Sequence, residues 1–187
     1  TVPPPAANLF FSEYAEGSSN NKYFEVYNAS TGTVDLSDYE FVTCNNECSD
    51  YEFNTSFSPN IEGSSTLLAA GDVYVVCHSS ASNDIKAECD QTNGYLSNGD
   101  DALGLLYVLG NTLLDKVGTP GDGSSHPDWD VAGVSGATKD NTLVRKASVT
   151  QGNTDWASSA GTDAADSEWL VEAKPEANYT PSTLGNH

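Results

Sequence analysis

The chain has 187 residues, which is enough for one domain with a substantial core, although only 37% of them are hydrophobic. It carries 7 Lys and Arg against 27 Asp and Glu, giving a formal net charge of −20. Such a surface repels phosphate backbones and anionic membranes, so nucleic acid is not an expected partner, and no apolar stretch is long enough to span a bilayer.

The first third of the chain predicts an extended arm followed by strands. Residues 1–8 include three consecutive prolines, which favour a polyproline-like arm outside any sheet. Apolar residues then alternate with polar ones between clusters of turn residues, and this pattern is typical of an all-β protein. Strands are predicted at Leu9–Tyr14, Tyr23–Asn28 and Tyr39–Cys44.

Further strands and one helix are predicted in the rest of the chain. We expect Val73–Cys77 to be a central strand, because it is β-branched and aromatic. Ser80–Cys89 predicts a short helix, capped by Ser82 or Asn83, with Ile85 facing inward. The remaining predicted strands are Ser65–Leu68, Ala102–Leu109 and Thr112–Val117 as a hairpin across Gly110-Asn111, and Thr142–Lys146.

Several of these segments resemble, in order, those of the lamin-tail domain family. They are LFFSEY, YFEVYN, VDLSDY, AAGDVYVVCHSSASNDI, LSNGDDALGLL and LLDKVGTPGD. TLVRK, GNTDW, SEW and the closing LGNH resemble bacterial extracellular members. The resemblance implies that residues 9–187 form an immunoglobulin-like β-sandwich with one short helix and long C-terminal loops. It also implies a module that binds or assembles and is not an enzyme.

The cysteines predict two disulfides and an oxidising compartment. Their spacing does not fit a zinc site, and an even number in an acidic, Ser/Thr-rich chain favours disulfides over free thiols. Of the three possible arrangements we favour the sequential pairs, because each closes a short, turn-rich connection. The pairs are Cys44–Cys48 and Cys77–Cys89.

Three Asn-x-Ser/Thr triplets make Asn28, Asn54 and Asn178 candidate glycosylation sites in a secreted protein. No Met and no signal peptide are visible, so we take the chain as a processed form. Asp122, Asp128 and Asp130 share one loop and could hold calcium, the only cofactor that the sequence suggests. The alternative is that such aspartates bond turn amides, as we also expect of Asp100 and Asp101.

No catalytic motif is present, and the three histidines, His78, His126 and His187, do not form a set by spacing. Glu13 and Glu25 lie on predicted core strands, where a buried acid needs a partner. Arg145, Lys146 or backbone amides are the expected partners. The three tryptophans, Trp129, Trp156 and Trp169, together with the nine tyrosines, could form a sugar-stacking face, although core packing is the favoured interpretation.

The sequence therefore predicts a secreted, non-catalytic structural or interaction module. Its partners would be other proteins, copies of itself or glycans, with the Pro-rich arm, the polar C-terminal tail or the sheet edges making the contacts. Self-association into a filament is one form of such assembly. The alternative is an accessory substrate-binding module of a secreted hydrolase or nuclease.

Overall fold

Strands form largely where alternating apolar residues predict them, and they stack as two main sheets. The computed structural model describes residues 8–46, 48–121, 128–176 and 181–187. Within these ranges there is a six-stranded sheet, a four-stranded sheet and a short two-stranded sheet. The predicted fold class, an immunoglobulin-like β-sandwich, is confirmed.

The larger sheet has the strand order β12-β11-β1-β2-β7-β8. Neighbouring strands are antiparallel except for β7 and β8, which are parallel. The strands are β1 (Leu9–Glu16), β2 (Lys22–Asn28), β7 (Val73–His78), β8 (Gln91–Asn93), β11 (Asn141–Arg145) and β12 (Trp169–Ala173).

The smaller sheet has the order β10-β9-β4-β5 and is antiparallel throughout. Its strands are β4 (Tyr39–Cys44), β5 (Phe53–Ser56), β9 (Ala102–Tyr107) and β10 (Thr112–Val117). The predicted hairpin of β9 and β10 forms, with Asn111 in the left-handed region at φ 47°. A two-stranded sheet of β3 (Val34–Asp35) and β6 (Leu67–Leu68) and a 3₁₀-helix, Leu36–Asp38, complete this side.

A chain of aromatic rings packs between the two sheets. Phe24 of β2 meets Phe41 of β4 with ring centroids 5.0 Å apart, and Phe41 meets Phe57 at 5.6 Å. Phe57 in turn contacts Tyr74 of β7 at 5.4 Å. Burying each such side chain contributes roughly 1.5–3 kcal/mol, so this inter-sheet core is a principal source of stability.

The outer face of the larger sheet is covered as well. Tyr23, Val75, Cys77, Ile85 and Leu184 are buried together there. Ile85 comes from α1 (Asn83–Ala87), whose N-cap Ser82 accepts a hydrogen bond from the Ile85 amide at 3.4 Å. The helix, its cap and its inward residue thus form as predicted, although the helix is shorter than the predicted span.

The C-terminal tail supplies the rest of this cover. Residues 181–187 were expected to be a free polar segment, but they dock against their own sheet. The Leu184 side chain is buried, and the His187 ring packs edge-on against Tyr27 at 4.7 Å. The tail docks because β1 and β2 carry apolar residues on both faces, and the outer set needs a cover.

A second short helix, α2 (Trp156–Ala160), was not predicted. It is too short to show helical periodicity, and its N-cap is Asp155, whose carboxylate accepts a hydrogen bond from the Ser158 amide at 3.3 Å. Gly161 ends it at φ 66°. No described helix is long and apolar enough to cross a membrane.

Candidate functional site

The most strongly buried charges of the chain form a structural ion pair. The Nη2 atom of Arg145 lies 2.7 Å and 2.8 Å from the two carboxylate oxygens of Asp115, and neither side chain is exposed to solvent. Asp115 also accepts hydrogen bonds from the amides of Phe11 and Asn153, each at 2.8 Å. Burial raises the pKa of Asp115, and the Arg145 guanidinium opposes that rise.

The Arg145 guanidinium is enclosed by aromatic rings. It lies 4.2 Å from the Trp169 ring centroid and 5.5 Å from that of Phe10. Trp169 is fully buried, and its indole N–H donates to Ser159 Oγ at 2.9 Å. The Asp115–Arg145 pair links β10, β1 and β11. Because both carboxylate oxygens of Asp115 already accept hydrogen bonds from the protein, we assign the pair a structural role.

The predicted pairing of Glu13 or Glu25 with Arg145 or Lys146 does not occur. Glu13 lies opposite Val144, so Arg145, one residue on, faces the other side of the sheet. Lys146 instead donates to the Ala164 carbonyl at 2.8 Å. Glu13 accepts a hydrogen bond from the Tyr23 hydroxyl.

Glu25 has the backbone-amide partner that was the other expectation. Its carboxylate accepts from Ser12 Oγ at 2.6 Å and from the amide of Gly185, in the docked tail, at 2.8 Å. Burial raises the pKa of Glu25 to about 7, and Glu13 directly across the strand pair adds to the rise. Burial likewise raises the pKa of Glu13.

Both disulfides have the sequential pairing. Cys44 and Cys48, with Cα atoms 5.7 Å apart, close the turn after β4. Cys77 and Cys89, with Cα atoms 6.0 Å apart, tie β7 to the end of α1. Because they are crosslinked and buried, these sulfur atoms bind no metal and serve as structural anchors.

The three candidate glycosylation sites differ in accessibility. Asn28 is fully buried: its amide donates to the carbonyls of Gly32, Leu68 and Ala69, and its oxygen accepts from Ser30. The folded structure therefore has no room for a glycan at Asn28. Asn54 is exposed on β5 and stays a predicted site, and Asn178 lies outside the described residues.

Only two of the three proposed calcium ligands, Asp128 and Asp130, lie among the described residues. Asp122 lies outside the described residues, as does His126. Asp128 forms an ion pair with Lys139 at 3.8 Å, and Asp130 accepts a hydrogen bond from the Gly136 amide at 2.8 Å. No group of three or more metal-binding side chains occurs among the described residues, so calcium binding stays a prediction.

Other candidate residues have local structural roles. Asp101 accepts a hydrogen bond from the Asn46 amide at 2.8 Å, which lies in the turn after β4 and not in the turn that holds Asp101. His78 Nδ1 accepts from the Ser80 amide at 3.0 Å. Trp156 and Trp169 are buried, and a Cβ atom at Gly118 would lie 2.7 Å from the Trp129 ring. The tryptophans therefore pack within the fold and form no sugar-stacking face.

Two surface features remain that could contact other molecules. The first is the outer edge of β12, which has β11 as its one neighbour among the described strands. Leu170 of this strand is 46% exposed. The second is a cleft of about 540 Å³ at one end of the sandwich, beside β5 and β8, and no motif in the chain predicts it.

The stacked antiparallel sheets define the class of the protein as an immunoglobulin-like β-sandwich. The family model of the lamin tail domain matches residues 3–121, which is more than half of the chain, and the chain therefore belongs to this family. Domains of this family are generally non-catalytic. No curated protein sequence gives a significant match to the chain.

Proposed function

We propose that the protein is a non-catalytic extracellular module that assembles with copies of itself or adheres to a protein partner. The observation that carries this proposal is the outer edge of β12. A strand with one neighbour presents unpaired N–H and C=O groups that can accept an extended segment of another chain. The exposed Leu170 side chain adds apolar contact area at that edge.

An extracellular location fits the two disulfides, because such bonds persist in oxidising compartments. The net charge of −20 keeps unassembled molecules apart, so association needs specific contacts such as strand pairing. The docked tail occupies its own sheet. The other predicted contact segment, the arm at residues 1–8, lies outside the described residues except for Asn8, and we propose that it reaches a neighbour.

The geometry of β12 allows its edge to be blocked without breaking the sheet. The Lys146 amide donates to the Glu168 carbonyl at 2.8 Å, and by alternation the amide of Val171 points away from β11. Val171→Pro removes this outward N–H, whereas Val171→Ala keeps it and serves as the matched control.

The experiment measures particle mass by light scattering and particle shape by electron microscopy. The proteins compared are the full chain, the chain lacking residues 1–8, and the two Val171 variants. We expect the full chain and Val171→Ala to assemble, and Val171→Pro or removal of the arm to reduce assembly. A full chain that stays monomeric at all concentrations and adheres to no cell surface would contradict the proposal.

The second candidate, an accessory substrate-binding module of a secreted hydrolase or nuclease, is favoured by the open cleft beside β5. The net charge disfavours a nucleic acid as the substrate. A longer precursor that also carries a glycosidase or nuclease domain would support this candidate.

A further inference from the structure

The cleft beside β5 and β8 has the size and lining of a small-ligand site. Its volume of about 540 Å³ lies within the range of roughly 300–1,000 Å³ that is usual for such sites. Phe24, Phe41 and Leu103 of the inter-sheet core contribute to its lining. The cleft thus combines an apolar base with a mouth that is open to solvent.

Two aromatic rings stand exposed along this cleft. Tyr95 is 88% exposed and Phe53 is 53% exposed, although both belong to the lining. Large rings held in water are unfavourable unless a contact covers them, and an aromatic face packs well against the C–H surface of a flat ring.

The charged side chains of the cleft already have partners. The Lys22 ammonium donates to the Asn98 side chain and lies 3.3 Å from Glu16, and Asp101 is hydrogen-bonded to the Asn46 amide. The polar groups left to meet a ligand are neutral: among them are the side-chain amides of Asn45 and Asn46 and the NH2 group of Asn93, whose oxygen accepts a hydrogen bond from the Tyr95 amide at 3.0 Å. A net charge of −20 further disfavours an anionic ligand.

The strand edges beside the cleft are partly closed to an extended peptide. The Gln91 side chain donates to the Ser56 carbonyl at 3.3 Å, which occupies the end of β5. On β8, the Asn60 side chain accepts from the Thr92 amide at 2.8 Å and donates to the Thr92 carbonyl at 3.1 Å. These side chains take the place of a neighbouring strand, so strand addition is disfavoured here.

We propose that this cleft binds a short neutral saccharide. The rings of Tyr95 and Phe53 contact the C–H faces of the sugar, and the amides of Asn45, Asn46 and Asn93 exchange hydrogen bonds with its hydroxyl groups. The site does not involve the β12 edge, so saccharide binding and assembly succeed or fail independently.

The test titrates the full chain with the neutral trisaccharides maltotriose, cellotriose, mannotriose and triacetylchitotriose. A sulfated heparin tetrasaccharide is the anionic probe, and a peptide with the sequence of residues 1–8 is the strand probe. Calorimetry gives the affinity, and amide chemical shifts locate the binding. We expect at least one neutral trisaccharide to bind saturably and to shift the amides of Asn45, Asn46 and Tyr95.

Tyr95→Ala and Phe53→Ala are each expected to weaken that binding by about three- to tenfold, because each removes a ring contact. Leu109→Ala is the control, since Leu109 is 63% exposed and lies outside the lining of the cleft. The proposal is overturned if none of these trisaccharides binds at the cleft, if binding survives both substitutions together, or if the heparin fragment or the peptide binds there instead.

Discussion

Two regions of the chain contribute very differently to one fold. Residues 8–121 supply ten strands in close succession, whereas residues 128–187 supply two strands, one short helix and many turns. Nevertheless β11, from the second region, lies between β12 and β1 within the larger sheet. The later residues are therefore part of the β-sandwich even though the family match ends at residue 121.

The first region packs aromatic side chains between the sheets, and the second region adds both apolar side chains, such as Leu143, Trp169 and Leu184, and buried polar contacts. Asp115 of β10 binds Arg145 of β11, and Glu25 of β2 binds the Gly185 amide of the tail. Polar contacts of this kind specify one arrangement, because a buried charge that loses its partner is strongly destabilising. Both regions therefore contribute to the core, and the second also supplies partners for buried charges of the first.

The largest expected effect comes from removing the second region. A chain ending at Gly121 would lack β11, β12 and the tail, exposing one side of β1 and leaving Asp115 buried without Arg145. We expect this fragment not to unfold cooperatively, as measured by circular dichroism and amide chemical-shift dispersion. A sharp unfolding transition in the fragment would show that the first region folds alone.

A smaller but still large effect is expected from Asp115→Ala. This change removes the fully buried carboxylate that binds Arg145 and leaves the guanidinium with the more distant, partly exposed Glu168 carboxylate at 3.5 Å, so the free energy of unfolding in urea should fall by about 3 kcal/mol. Lys174→Ala is the control, because its ion pair with Asp140, at 2.6 Å, is substantially exposed and should contribute little to stability. Equal losses in the two variants would contradict the assignment of Asp115 as the link.

The smallest effect concerns pH. The pKa of Glu25 is raised to about 7 in the folded protein from an ordinary value of 4.5, so the folded state holds a proton that the unfolded state releases within that window. The free energy of unfolding should therefore fall as pH rises from 4.5 to about 7. Glu25→Gln should reduce this fall by roughly 1–3 kcal/mol, as measured by urea unfolding across the window.

Glu52→Gln provides the matched control for the pH prediction, since Glu52 is exposed and its substitution also removes one negative charge. The slope with pH should change little in that variant. If the two variants have the same slope, the burial of Glu25 does not carry the effect.

The sequence by itself determined most strands of the first region, though not β8, together with the α1 cap and the sequential cysteine pairs. These features depend on residues that are close in the sequence: the alternation of apolar and polar residues, turn residues and short loops. The same pattern also identified Glu13 and Glu25 as acids in need of partners. It could not name the partners, because Tyr23 and Gly185 meet them only after the strands pair and the tail docks.

The tertiary structure alone decided the rest. A register shift in β10 turns Asp115 inward toward an arginine 30 residues away, and the outer face of β1 and β2 captures a tail that looks polar in sequence. Asn28, a glycan candidate by its triplet, is buried by residues 32, 68 and 69. The cleft likewise depends on the packing of the two sheets, because Phe53 and Tyr95 line the same cavity only once both sheets have formed. Such contacts between distant residues depend on packing, which residue order along a single strand does not encode.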